Sequence, residues 1–258
     1  MQLYMKYFAI HLKSQMQFKS SFFFTTLGQF LVSFTTLLGI NFLFARFNSV
    51  GGFTYEDILI CFAVITSAFS LSELFGRSFE RFPVLLGNGG FDRVLVRPRN
   101  IVFQVIASEI NFSRLGRLVH AIIVFIYVIP RSGIDWTTPR IFTLILMVIC
   151  GAALFFCIHI LYAAFSFFTI EGLEFMNILT HGGQEHGRLP FSVYGEGVLK
   201  FLTFVVPLAL VQYYPLLFLL GREDNLFYVI SPMISLLFII PCYGFFRFGL
   251  RKYKSTGS

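Results

Sequence analysis

Long uninterrupted apolar runs separated by short polar breaks dominate this chain, in place of the half-apolar stripe or strict alternation of a soluble fold. A hydrocarbon layer about 30 Å thick is crossed by about 20 apolar residues in a helix. Residues 22–45 meet that requirement without a charge. Residues 58–75 meet it if the helix continues past Glu73. Residues 110–130 meet it only by including Arg114 and Arg117, whose turns are expected in the headgroup layer, where arginine can snorkel. Residues 141–168, 201–220 and 226–246 complete six expected spans. The expected fold is all-α and polytopic, one membrane domain over residues 1–258 with no internal repeat or separate soluble domain. Residues 1–20 put Met5, Phe8, Leu12 and Met16 on one helical stripe, with Lys6 and Lys13 turned away. That pattern predicts an interfacial amphipathic helix, serving either as an anchor or as a mechanical element.

Composition supports this picture: 56% of residues are hydrophobic and 13% charged, more apolar than a soluble core can absorb. The net charge of +7 comes from basic residues at the ends of apolar runs, which reads as membrane orientation and not as a nucleic-acid footprint. With both termini inside, sixteen Lys and Arg fall on the cytoplasmic side and four outside. The N-terminus lacks the basic head and apolar core of a cleavable signal peptide. Cys61, Cys150, Cys157 and Cys242 all lie in apolar runs and read as reduced, buried side chains.

Catalytic chemistry finds no support. No phosphate-binding loop occurs, because Gly87, Gly89 and Gly90 are followed by Phe-Asp-Arg instead of Lys-Ser/Thr. No nucleophile elbow is present, and every Asp lies outside the expected spans, so paired ionisable groups at span depth are not expected. The run His181-Gly-Gly-Gln-Glu185-His186 reads as a polar cytoplasmic loop, its paired glycines arguing against a rigid metal-binding helix. His120 and His159 read as buried, hydrogen-bonded neutral histidines, or as polar contacts along a substrate path. Glu171 and Glu174 share a helical face at the membrane edge, marking its exit from lipid or pairing with Arg77 or Arg188.

Two segments point to function. Pro207 and Pro215, like Pro232 and Pro241, remove helix hydrogen bonds within apolar runs and predict kinks or breaks. Gln212, Tyr213 and Tyr214 lie between the first pair, as a pathway lining or as an aromatic anchor. The loop over residues 76–100 places Phe79, Phe82, Leu85 and Leu86 near one face of a short helix. Phe91, Asp92, Arg93, Leu95 and Arg97 then mix apolar anchors with charge. That mixture suits docking to a partner groove, and also suits the headgroup layer.

The stretches Gly89-Gly90-Phe91-Asp92-Arg93-Val94-Leu95-Val96-Arg97-Pro98 and Arg188-Leu189-Pro190-Phe191-Ser192-Val193-Tyr194-Gly195 resemble the permease subunits of type-2 ATP-binding-cassette exporters. The resemblance is narrowest to the six-span permeases associated with daunorubicin-resistance-like ATPases. It continues from Thr203-Phe204-Val205-Val206-Pro207 to Tyr214-Pro215-Leu216-Leu217-Phe218-Leu219-Leu220-Gly221-Arg222, the remaining spans agreeing in pattern. It implies a bacterial cytoplasmic-membrane subunit, not itself an enzyme, paired with a second identical or sister permease and two ATPase subunits that carry ATP and Mg. Residues 76–99 would then supply the coupling helix, residues 2–19 the interfacial helix, and the fifth span the exit side of the path. The implied cargo is hydrophobic, lipidic, peptide or glycan-linked. A scaffold or immunity-type protein that holds a cytoplasmic partner without transport is the rival reading.

Overall fold

The computed structural model describes residues 2–169 and 174–254. Glu171 lies outside them, as does the Met5 side chain. Among the described residues the only regular structure is helical, apart from one isolated bridge between Val50 and Phe53. The helices are α1 (Gln2–Met16), α2 (Lys19–Arg46), α3 (Tyr55–Glu80), α4 (Phe82–Gly87), α5 (Asp92–Leu95), α6 (Ile101–Ser108) and α7 (Leu115–Val128). They continue with α8 (Thr138–Phe165), α9 (Glu174–Leu179), α10 (His181–His186), α11 (Glu196–Phe204), α12 (Tyr213–Leu219), α13 (Leu226–Ser235) and α14 (Ile239–Lys252). Four helices are long and apolar enough to cross a membrane singly: Lys19–Arg46, Tyr55–Gly87, Thr138–Phe165 and Leu226–Lys252. The pair Ile101–Ser108 and Phe112–Val128, bent by 66°, adds a fifth candidate when counted as one broken span.

Helix α3 is the axis of the bundle. Thr54 and Asp57 start it with a reciprocal capping box that satisfies two orphan N–H groups. From Asp57 to Ser70 every side chain is buried, because α7 and α8 cover it along its length and α10 joins them. Helix α8 runs parallel to α3 at close range. A Cβ on Gly151 would come within 2.9 Å of the Ala68 Cβ, and one on Gly76 within 3.3 Å of Phe156. Small residues at the crossing let two membrane helices gain dispersion contact that lipid would not replace. By contrast α2 leaves Phe23, Phe24, Leu31, Val32 and Phe42 exposed, an apolar surface suited to lipid.

The third crossing departs from the expectation of a straight helix with solvated arginines. The chain bends between α6 and α7, and Arg114 and Arg117 turn inward, held by the Glu73 carboxylate at 3.1 Å each. Helix α1 supports that bend. Gln15 donates to the Ile110 carbonyl and accepts from the Phe112 N–H, and His11 lies 2.9 Å from the Ala107 carbonyl oxygen. Phe8 and Leu12 pack against Leu74, Ile110 and Phe112, whereas Met16 stays exposed. The α1 stripe is therefore seated largely on protein.

The expected fifth span, 201–220, is not a single helix. Helices α11 and α12 are separated by a break over 205–212 that contains Pro207. Val193 sits under Gly51 at the end of the bundle where α3 begins. From there α11 descends until Leu202 packs near Ile65 and Leu208. Helix α12 then returns, Leu216 and Leu219 reaching the cluster around Phe53. The hairpin enters and leaves from one side, with Val206 and Leu208–Gln212 buried in protein at its turn. Pro232 and Pro241 flank a 3-10 turn, Leu236–Phe238, between α13 and α14.

Candidate functional site

Along α3 lies the stretch 174–194, expected from its polarity to be a cytoplasmic loop. His181 stacks edge-on against Phe69 at 5.4 Å, Gly187 abuts Ile65, Leu189 joins the cluster around Phe62, and Val193 reaches Gly51. The segment thus climbs α3 from its middle to its first turn. Its glycines serve close packing, not flexibility: a Cβ on Gly183 would meet Leu208 at 3.1 Å and Phe155 at 3.4 Å, and one on Gly187 would meet Ile65 at 3.1 Å. Pro190 cannot donate, so the chain changes direction there, and Gln212 donates to the carbonyls of Gly187 and Leu189. Gln212 is wholly buried and braces this break, so it does not line an open path; Tyr213 and Tyr214 are half-buried beside it. Pro215 is buried within α12.

Polar groups converge at and just past the end of the expected second span, and Glu73, Arg114 and Arg117 pair within the expected spans, where no paired ionisable groups were expected. Glu73, with no exposed surface, bridges Arg114 and Arg117, and Arg114 also donates to Gln29 of α2 at 2.9 Å. Two turns on, Glu80 pairs with Arg77 and, at 2.9 Å, with His159 of α8, whose other ring nitrogen lies 3.2 Å from Ser72 Oγ. His120 shares a 2.8 Å hydrogen bond with Ser33, so both apolar-run histidines have named partners. Arg188 pairs with Glu185, so neither Arg77 nor Arg188 takes up Glu174, which is exposed. The ligand atoms of Glu73, Glu80 and His181 lie within 4.8 Å of one another. They do not suit a divalent cation, because the carboxylates already face three guanidiniums. Among the described residues Asn177 of α9 and His181 and Glu185 of α10 are exposed at spacings of four, and the buried Arg188 follows just past the end of α10.

The segment 76–100 divides into an inner and an outer face. Phe79, Phe82 and Phe91 are fully buried, packing on Phe246 of α14 and on Phe167. They cannot touch a partner in this conformation, since α14 covers the face they present. Leu85 and Asp92 are partly buried, the latter accepting from the Tyr253 hydroxyl at 3.1 Å. Burial, with Asp92 as acceptor, raises the Tyr253 phenol above its ordinary pKa. Arg93, Leu95 and Arg97 are exposed, together with Val84 at 62% and Val96 at 82%. Neither valine stood out in the sequence. Leu86 points inward with the phenylalanines.

Residues 30–257 match the family described as ABC-2 family transporter protein. No curated protein and no solved structure matches the chain.

Proposed function

The chain belongs to the ABC-2 family of transporter proteins, and on that premise we propose that it is the permease subunit of an ATP-driven exporter. As a member of that family it is a multi-pass ABC transporter permease. In the proposed assembly two such permeases, identical or sister chains, sit on two ATPase subunits that bind ATP and Mg. The membrane is the bacterial cytoplasmic membrane and both termini lie inside.

The observation that carries this reading is the polar stripe Asn177, His181, Glu185 and Arg188 beside the apolar middle of α3. Of these, His181 and Glu185 are both exposed and ionisable, and such groups beside an apolar core are tolerated against water, cargo or another protein surface, not lipid. A scaffold would not need them. With 174–194 as the fifth crossing and 196–219 as a re-entrant hairpin on the outer side, six spans result.

Closure of the ATPase pair would act on the exposed face formed by Val84, Arg93, Leu95, Val96 and Arg97. Because Phe82 and Phe91 anchor that loop to α14 and to the end of α8, movement of the loop moves those helices. Changing both Val84 and Val96 to Asp is expected to cut ATPase co-purification and transport-linked ATP turnover about tenfold or more. Yield and thermal stability should not change, since both side chains are exposed. Affinity purification from native membranes, with ATP hydrolysis measured on the eluate, checks this. An eluate of the unmodified chain with no P-loop ATPase and no turnover would instead favour the scaffold.

A further inference from the structure

The charge cluster around Glu73 and Glu80 is unevenly balanced. Four guanidiniums, Arg77, Arg114, Arg117 and Arg188, meet three carboxylates, Glu73, Glu80 and Glu185. Glu73, Glu80 and His181 bring their ligand atoms within 4.8 Å of one another, which joins the pairs on Arg77, Arg114 and Arg117, and the Glu185–Arg188 pair begins one helical turn after His181. With the histidines neutral, one positive charge is left over, and any protonated histidine adds to it. All four arginine Nε atoms are buried without a hydrogen-bond partner, and Arg114 and Arg188 as whole residues are only 8% and 9% exposed. An excess cation with idle donors in a low-dielectric interior is strongly disfavoured unless an anion reaches it. The cluster is open to one, because His181 and Glu185 are exposed and the Arg77 side chain is 27% exposed.

Beside the charges lies an apolar space. A cavity of about 230 Å³ is bounded by Leu179, Gly183, His186, Tyr194, Leu202 and Leu208, between α9–α10 and the re-entrant hairpin. Counted at about 100° per residue, Leu179, Gly183 and His186 fall roughly opposite the polar stripe. The recess approaches the charges at one end, where His186 and Tyr194 meet edge-on next in sequence to Glu185 and a few residues from Arg188.

We infer that this composite site binds the cargo, and that the cargo is an amphiphile with an anionic headgroup, its charge meeting Arg188 and Arg117 and its apolar tail entering the recess. The inference names the substrate class of the permease reading above and rests on it.

The test uses the full chain in nanodiscs of phosphatidylcholine, titrated with lysophosphatidate, with lysophosphatidylcholine of the same acyl chain, and with inorganic phosphate. Lysophosphatidate is expected to bind about tenfold tighter than lysophosphatidylcholine, as one charge-assisted contact allows. Arg188→Gln should abolish that preference, and Arg188→Lys should restore part of it. Val198→Trp, which fills the recess from its 42% exposed rim, should weaken both lipids alike. Equal affinity for the two lipids, or a preference that survives in both Arg188→Gln and Arg117→Gln, overturns the anionic head. Inorganic phosphate binding as tightly as lysophosphatidate overturns the amphiphile. ATPase co-purification from the same membranes keeps the two readings apart. Lipids bound equally by a chain that retains its ATPase sink this inference alone; selective binding without an ATPase sinks the exporter alone.

Discussion

Replacing Glu73 by Gln is expected to destabilise the folded chain by about 3–5 kcal/mol, the usual cost of removing one partner from a buried ionic group. Glu73 is wholly buried and each of its oxygens serves one guanidinium, so the amide leaves Arg114 and Arg117 without their shared countercharge. Those arginines also fix the α6–α7 bend and, through Gln29, the seat of α2, so the loss spreads over three crossings. The comparison is Glu109→Gln, which removes an ion pair to Arg81 whose side chains are 64% and 26% exposed. Exposed pairs contribute only about 0–1 kcal/mol. Thermal unfolding in detergent should therefore separate the two variants widely. Equal midpoints would mean that the buried carboxylate is not the support described. Replacing Glu73, Arg114 and Arg117 together by apolar residues of similar volume should recover most of the loss, because no charge is then left unpaired.

Gly116→Val is expected to force α2 off α7. A Cβ at Gly116 would lie 2.0 Å from the Thr26 carbonyl oxygen and 3.1 Å from the Phe30 nitrogen, and backbone atoms cannot swing aside as a side chain could. One turn further along, the bond between Ser33 and His120 depends on the same approach. Overpacking of this kind costs about 1–3 kcal/mol in an adaptable core, and more is expected here because the lost hydrogen bond adds to it. Gly28→Val on the same helix α2 is the control, since a Cβ there meets nothing within 4 Å. Thermal midpoints of the two variants decide the point: equal stability would contradict the close crossing.

What could be read from the sequence follows from what surrounds each segment. Helix α2 was legible over 22–45 because most of its surface faces outward, so lipid sets the identity of nearly every side chain. Helix α8 was legible for the same reason on one side. The stretch 174–194 was not, because a hydropathy reading assumes lipid all round, whereas here α3, α8 and the hairpin turn satisfy its glycines, carbonyls and charges. The apolar run 201–220 misled in the opposite sense. It is as greasy as a span but folds back at Pro207 because protein covers its turn. The segment 76–100 stood out by its mixture of aromatic and basic residues. Which face looked outward was not, because α14, more than 140 residues later, supplies the cover for Phe79, Phe82 and Phe91. The Glu73 pairing was not legible, because Arg114 and Arg117 were placed in the headgroup layer, although a carboxylate inside an apolar run needs a cation.

The central claim is that residues 174–194 cross the membrane and carry the polar stripe through it. It places Glu196, whose side chain is 87% exposed, at the outer end of the bundle beside the Gly51 turn. The four native cysteines are buried, so a cysteine introduced at this position reports alone. In intact cells Glu196→Cys is expected to react with a membrane-impermeant maleimide from outside. Reaction only after permeabilisation would return residues 171–199 to the cytoplasm and contradict the crossing.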